Sequence, residues 1–175
     1  IVEGINNGTH KNPADYTEVN KDLAEAKDKA ENNNVVDSVK EDIKDIEDAL
    51  NELKNDPTTN ADDQDEIDAL EKELEDIIAG IEDGTLVKVD YTNYNNAVNA
   101  YEALKDTMTA EDKAAVEAIK AEITEIPADG TKAQYQAQVD KAAEDIAAIN
   151  AKYGDCANGN HTWGEPILTK DPTAD

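Results

Sequence analysis

The sequence predicts an all-α fold: two tandem antiparallel three-helix bundles followed by an irregular C-terminal tail. Three observations lead there. First, Asp15-Tyr16-Thr17 with Asn20 returns further along the chain as Asp90-Tyr91-Thr92 with Asn95, at a displacement of 75. Second, the apolar residues fall into six stripes with spacings of three and four, the pattern of helices that bury one narrow face. Third, the stripes are separated by turn-forming Pro, Gly, Asn and Asp residues. Recurrence at a fixed period means that one supersecondary unit was built twice, which favours a module over an enzyme.

Taken in order, Ile1-Val2-Glu3-Gly4-Ile5-Asn6-Asn7-Gly8-Thr9 matches Ile77-Ile78-Ala79-Gly80-Ile81-Glu82-Asp83-Gly84-Thr85 at a displacement of 76. Residues 1–13 therefore read as the stub of a preceding repeat and a linker. Residues 14–85 form the first predicted bundle. Its first helix runs from Asp15 to about Asn32, with Asp15 or Thr17 as N-cap and a stripe of Tyr16, Val19, Leu23, Ala26 and Ala30. Asn32-Asn33-Asn34 breaks it, because short polar side chains compete for the backbone. The second helix carries Val36, Val39, Ile43, Ile46, Leu50 and Leu53 and ends before Asp56-Pro57, since proline disfavours helix in its predecessor. The third uses Ile67, Leu70, Leu74, Ile77 and Ile81, with Gly84 just past its end. Three striped helices on short connections bury their stripes only against one another.

Residues 86–153 repeat the plan, after a short linker over residues 82–89. The fourth helix uses Tyr91, Tyr94, Val98 and Tyr101, and the fifth Val116, Ile119, Ile123 and Ile126. The sixth uses Tyr135, Val139, Ala142, Ile146, Ile149 and Tyr153. Thr109 stands three before Asp112, and Thr131 three before Gln134, the spacing of a reciprocal N-cap. After Tyr153 the periodicity stops. Residues 154–175 read as an irregular tail, the start of a truncated next module in which Trp163 packs back onto the second bundle.

Composition excludes several function classes. The 42 acidic side chains against 16 basic ones leave a net charge of −26, and every basic residue is Lys. Such a field repels phosphate backbones, and without Arg there is no bidentate contact to guanine, so nucleic acid is not an expected partner. Anionic membrane surfaces are disfavoured in the same way, and no apolar run reaches the 18 or so residues of a span, so direct membrane insertion is not expected. No basic leader opens the chain, although a fragment need not retain one.

Candidate chemistry is sparse. The acidic stretch from Asp56 to Glu66 fails as a calcium loop: its sixth position is Ala61 and its twelfth Ile67, where the motif wants Gly and Glu. It reads as a solvated loop that starts a helix. Cys156 and His161 supply two of the four ligands that structural zinc takes, so no metal site is assigned, and a disulfide to Cys156 in a longer chain stays open. His10 is a lone linker residue. Nothing assembles a nucleophile, base and orienting group, so no catalytic residue and no cofactor are expected. The binding residues are unknown. The tyrosines of the second repeat fill seam positions, with their hydroxyls at the rim, while Ala143, Ala147 and Ala148 leave a less charged strip there.

The Asp-Tyr-Thr start with its following Asn, the heptad-spaced helices and the later Glu75-Asp76-Ile77 and Glu144-Asp145-Ile146 segments resemble the FIVAR family over Asp15 to Tyr153. FIVAR modules are three-helix repeats of large Gram-positive surface proteins, including adhesins and secreted carbohydrate-active enzymes. His161-Thr162-Trp163-Gly164-Glu165 resembles the opening of a Cys-containing surface module. The resemblance implies an extracellular, cell-surface or secreted location and supplies no catalytic motif. The expected function is a non-catalytic spacer or stalk whose partners are neighbouring repeats. Two alternatives are an adhesin-type module binding a host extracellular protein or glycan through the second repeat, and an accessory region of a carbohydrate-active enzyme.

Overall fold

The structure, a computed structural model, describes residues 13–157, with side chains through residue 154. The stub at residues 1–9, His10, His161 and Trp163 lie outside the described residues. The fold is all-α. Among the described residues six helices follow one another: α1 (Thr17–Asn32), α2 (Asp37–Asn55), α3 (Gln64–Glu82), α4 (Thr92–Leu104), α5 (Ala110–Thr124) and α6 (Lys132–Ala157). Short 3-10 turns at Ala61–Asp63 and Lys105–Thr107 precede α3 and follow α4. Among the described residues no strand forms, and β-pairing is confined to isolated antiparallel bridges, Val35 with Val87 and Lys88 with Thr131.

The chain divides into two compact units. One holds residues 13–90 with Pro127–Ala137, the other Tyr91–Ile126 with residues 138–157. In the first unit α1 packs on both α2 and α3. Its core joins Val19, Ala26 and Ala30 of α1 to Val39, Ile43, Ile46 and Leu50 of α2 and to Ile67, Leu74 and Ile81 of α3. Each of these is a residue that the three-four spacing places on a seam. Tyr16, Leu23, Leu53, Leu70 and Ile77 pack against that core while partly exposed. Removing an aliphatic side chain of this size from water contributes about 1.5–3 kcal/mol.

The residues between α3 and α4 are tied on both sides. Gly84 takes a left-handed φ of 82°, which lets the chain leave the helix without a Cβ clash. The Leu86 N–H then donates to the Gly80 carbonyl at 2.9 Å, the Val36 N–H to the Leu86 carbonyl at 2.9 Å, and the Lys88 N–H to the Asn34 carbonyl at 2.7 Å. On the other edge the Lys132 N–H donates to the Val87 carbonyl at 2.7 Å and the Ala133 N–H to the Gly84 carbonyl at 3.0 Å. Val87 and Val89 are buried. What reads as a linker is a strap across the end of the first core.

In the second unit Ala97 and Tyr101 of α4, Met108, Val116 of α5 and Ile146 of α6 form the buried cluster. Tyr94, Val98, Ile119, Ile149 and Tyr153 pack around it. Thr109 caps α5 as its spacing predicts: its hydroxyl accepts the Asp112 N–H at 3.2 Å. At the start of α6 the Thr131 N–H donates to the Gln134 side chain at 3.4 Å.

Three further expectations need correction. The first helix begins at Thr17 behind Tyr16, with neither Asp15 nor Thr17 as N-cap. Asp15 instead reaches forward, its carboxylate accepting both the N–H and the hydroxyl of Thr17 at 2.9 and 2.6 Å. The fifth helix stops at Thr124, so Ile126 lies beyond it, half-buried before Pro127. The tail does not turn irregular at Gly154, because α6 continues to Ala157. A single glycine costs a helix roughly 1 kcal/mol and does not by itself end it.

Candidate functional site

The acidic stretch before α3 serves local structure. Asp56 accepts the N–H and hydroxyl of Thr58 at 2.8 and 2.7 Å. Asn60 and Asp63 cap the 3-10 turn reciprocally. The same Asp-x-Thr turn recurs at Asp83, which accepts from the Thr85 N–H and hydroxyl at 2.9 and 2.7 Å. In each turn the hydroxyl and amide donors hold the aspartate carboxyl below its usual range.

Two glutamines, which the sequence reading passed over, hold the repeated Asp-Tyr-Thr motif. The Asp15 N–H donates to Gln64 Oε1 at 2.8 Å, and Gln64 Nε2 donates to the Asp15 carbonyl at 3.0 Å. Asp90 and Gln136 make the same pair at 2.8 and 3.0 Å. A primary amide matches a peptide group donor for acceptor, so each glutamine closes a backbone site that would otherwise need water. The signal was in the sequence: Gln64 recurs as Gln136 at nearly the displacement that separates Asp15 from Asp90.

Of the aromatic residues, Tyr101 is buried and Tyr94 and Tyr153 pack on the second core. Tyr91 meets Tyr94 edge to face, with centroids 6.4 Å apart. The Tyr153 hydroxyl bonds the Asp112 carboxylate and accepts the Thr109 N–H at 3.3 Å. Lys152 Nζ sits 2.8 Å from the same carboxylate. Lys152 first and then the Tyr153 hydroxyl hold the Asp112 carboxyl below its ordinary value. Lys120 lies over the Tyr101 ring, 5.4 Å from its centroid, and bridges Glu117 at 2.9 Å and Glu102 at 3.3 Å. Among the described residues two buried polar atoms lack a partner, the Tyr16 hydroxyl and Asn150 Oδ1, although Asn150 Nδ2 donates to the Ala97 carbonyl at 2.8 Å.

Of the alanine strip, Ala147 and Ala148 are exposed, whereas Ala143 is 7% exposed and belongs to the interior. Cys156 falls in the last turn of α6, and its suggested partner His161 is outside the described residues. A groove between α2 and α3 has Ile46, Leu70 and Ile77 on its floor and Asp42, Asp45, Glu73 and Asp76 on its walls.

Among the described residues, Asp22 of α1 and Glu71 and Glu75 of α3 bring carboxylate oxygens within 4.8 Å of one another. Hard cations take such ligands, but calcium takes six to eight oxygens and this group offers three carboxylates. Burial, then Asp22, Glu75, Asp68 and Glu18 in turn, push the Glu71 carboxyl above its ordinary value. This cluster was not anticipated from the sequence. Comparison with protein-family models, curated proteins and solved structures gives no match for the chain.

Proposed function

We propose that the chain is a non-catalytic spacer, a stalk of two related three-helix repeats in a FIVAR-like, secreted or cell-surface Gram-positive protein. The observation that carries this reading is the duplicated clamp, Asp15 with Gln64 and Asp90 with Gln136, at 2.8 and 3.0 Å in both copies. Identical scaffolding at the motif that defines the period supports a module built twice for its shape. In this reading neighbouring repeats of the same chain are its first partners. A helix of the length of α2 or α3, 19 residues, spans about 28 Å at 1.5 Å per residue, a useful step for holding other domains away from a surface.

The second reading is an adhesin-type module for a host extracellular protein or glycan. It is favoured by the exposed Ala147 and Ala148 on α6, which carry no charge in a chain of net −26. A role as an accessory region of a carbohydrate-active enzyme shares the same surface and needs a catalytic domain elsewhere. The deciding experiment is a glycan array together with a pull-down from host matrix proteins, using the whole chain and an Ala147→Glu/Ala148→Glu variant. Saturable binding that the double variant abolishes would sink the pure spacer. Silence from both proteins is the outcome expected of a stalk.

A further inference from the structure

The seam between α1 and α3 carries charge that its counterpart lacks. Asp22 is 8% exposed. The cation beside it, Lys21, holds Nζ 3.8 Å away and is drawn closer, 3.2 Å, to Glu18. Across the seam stand Glu71 and Glu75, one helical turn apart on α3. Glu18 from α1 and Asp68 from α3 also act on Glu71, and both are acidic. Lys72 is turned to Asp76 at 2.9 Å, and Lys29 is committed to Glu82 at 2.8 Å and to Glu25.

The second half of the chain supplies an internal comparison. Carrying Asp22 forward by the offset between Asp15 and Asp90 gives Ala97. Carrying Glu71 and Glu75 forward by the offset between the two glutamines gives Ala143 and Ala147. Ala97 and Ala143 are 8% and 7% exposed. Packing at these positions is satisfied by alanine, so the three acids are not there to fill space.

We propose that the α1–α3 seam of the first unit is a proton-responsive contact, in which the Asp22, Glu71 and Glu75 carboxylates crowd one another at neutral pH and the unit tightens when Glu71 takes up a proton. Protonation converts one carboxylate into a donor, so three mutually repelling acceptors become a carboxyl–carboxylate pair with a hydrogen bond between them. Glu71 is the proton's first destination, because burial and its four acidic neighbours raise its carboxyl above the ordinary 4.5. A group raised in the folded state binds its proton more tightly there than in the unfolded chain. Its stabilisation is complete below the unfolded value and is lost as pH rises through the folded one.

The trend reverses at lower pH. Asp15, Asp56 and Asp83, held below the ordinary 3.8 by their threonines, and Asp37, held there by Lys88, lose their contributions as pH falls through their folded values. Stability of the first unit therefore peaks in the mildly acidic range. The second unit has alanine at the three positions, and its Asp112, Glu102 and Glu117 are all lowered, so it shows no such rise.

The test is hydrogen exchange of the full chain at pH 7 and pH 5, at constant ionic strength with chelator present so that no cation replaces the proton. Opening equilibria are compared for peptides from the middle of α3 and of α6. The expected result is a several-fold drop in opening of α3 from pH 7 to pH 5, with no such drop in α6. Glu71→Gln should bring α3 at pH 7 to the wild-type pH 5 level and flatten the dependence, while the exposed Glu66→Gln leaves it intact. Protection of α3 that is flat or falling toward pH 5 overturns the proposal. So does Glu71→Gln retaining the wild-type pH dependence or failing to fold, because removing a repelling charge cannot destabilise a strained seam.

Discussion

Gln64 holds Asp15 across 49 residues of sequence by matching its side-chain amide to the aspartate's own peptide groups, accepting at 2.8 Å and donating at 3.0 Å. The contact fixes the entry of α1 against the start of α3 before any apolar residue is counted. Gln64→Ala removes both bonds and should cost about 1 kcal/mol, the usual net worth of partly solvated hydrogen bonds. Gln64→Glu keeps the acceptor but turns a carboxylate toward the Asp15 carbonyl, and it should cost at least as much. Urea midpoints, together with faster amide exchange at Asp15, check both. An unchanged Asp15 amide in Gln64→Ala would mean that the clamp holds nothing.

The first core predicts a larger and more local effect. Leu50 is fully buried among residues of all three helices of its unit. Leu50→Ala leaves a cavity and should destabilise that unit by about 2–5 kcal/mol. Exchange in α1 to α3 should rise while peptides around Ile146 stay protected. Equal loss across α5 and α6 would contradict separate cores.

Much of this fold is legible in the sequence because long heptad stripes depend only on local periodicity. Val39, Ile43, Ile46 and Leu50 announce α2, and all four are buried. The strap from Thr85 to Val89 is too short to carry a period, so its buried Val87 and Val89 looked like linker residues. Gln64 and Gln136 carry no local signal, since their aspartate partners lie far off along the chain. Asp22, Glu71 and Glu75 looked like ordinary solvated charges. Their meeting depends on how α1 turns toward α3, which residue type does not report. Ala143 reads as part of a surface strip with Ala147 and Ala148, but alanine is small and uncharged on either face of a helix, so residue type does not report that Ala143 is buried while the other two are exposed.

Three glycines should respond in different ways. A Cβ on Gly80 would lie 2.7 Å from both Cγ and Cδ1 of Leu86, whose own N–H is bonded to the Gly80 carbonyl. Leu86 must leave its rotamer, and its side chain is packed against the first core, so Gly80→Ala should cost about 1–3 kcal/mol. Gly84→Ala forces a side chain into the left-handed region, for about 1–2 kcal/mol. Gly154 has nothing within 4 Å of a Cβ and lies inside α6, so Gly154→Ala should stabilise by roughly 0.5–1 kcal/mol. Thermal unfolding of the three variants gives the order, and a destabilising Gly154→Ala would show that α6 does not run through that position.

Acid should loosen the second unit at an identifiable point. Asp112 gathers Lys152 and the Tyr153 hydroxyl around its carboxylate while its backbone N–H donates to the Thr109 cap, which joins the start of α5 to the far part of α6. Lys152 and Tyr153 lower its folded value, so its contribution is present above the ordinary aspartate value of 3.8 and is lost as pH falls through the folded one. Asp112→Asn keeps the shape and an acceptor but removes the charge. It should make exchange at the N-terminus of α5 at pH 7 resemble that of the wild type under acid. Tyr153→Phe should reproduce part of the effect, because it deletes the hydroxyl while leaving the ring on the core. If Tyr153→Phe left the acid response of α5 unchanged, the lysine alone would account for the lowered carboxyl and the hydroxyl would be a passive neighbour.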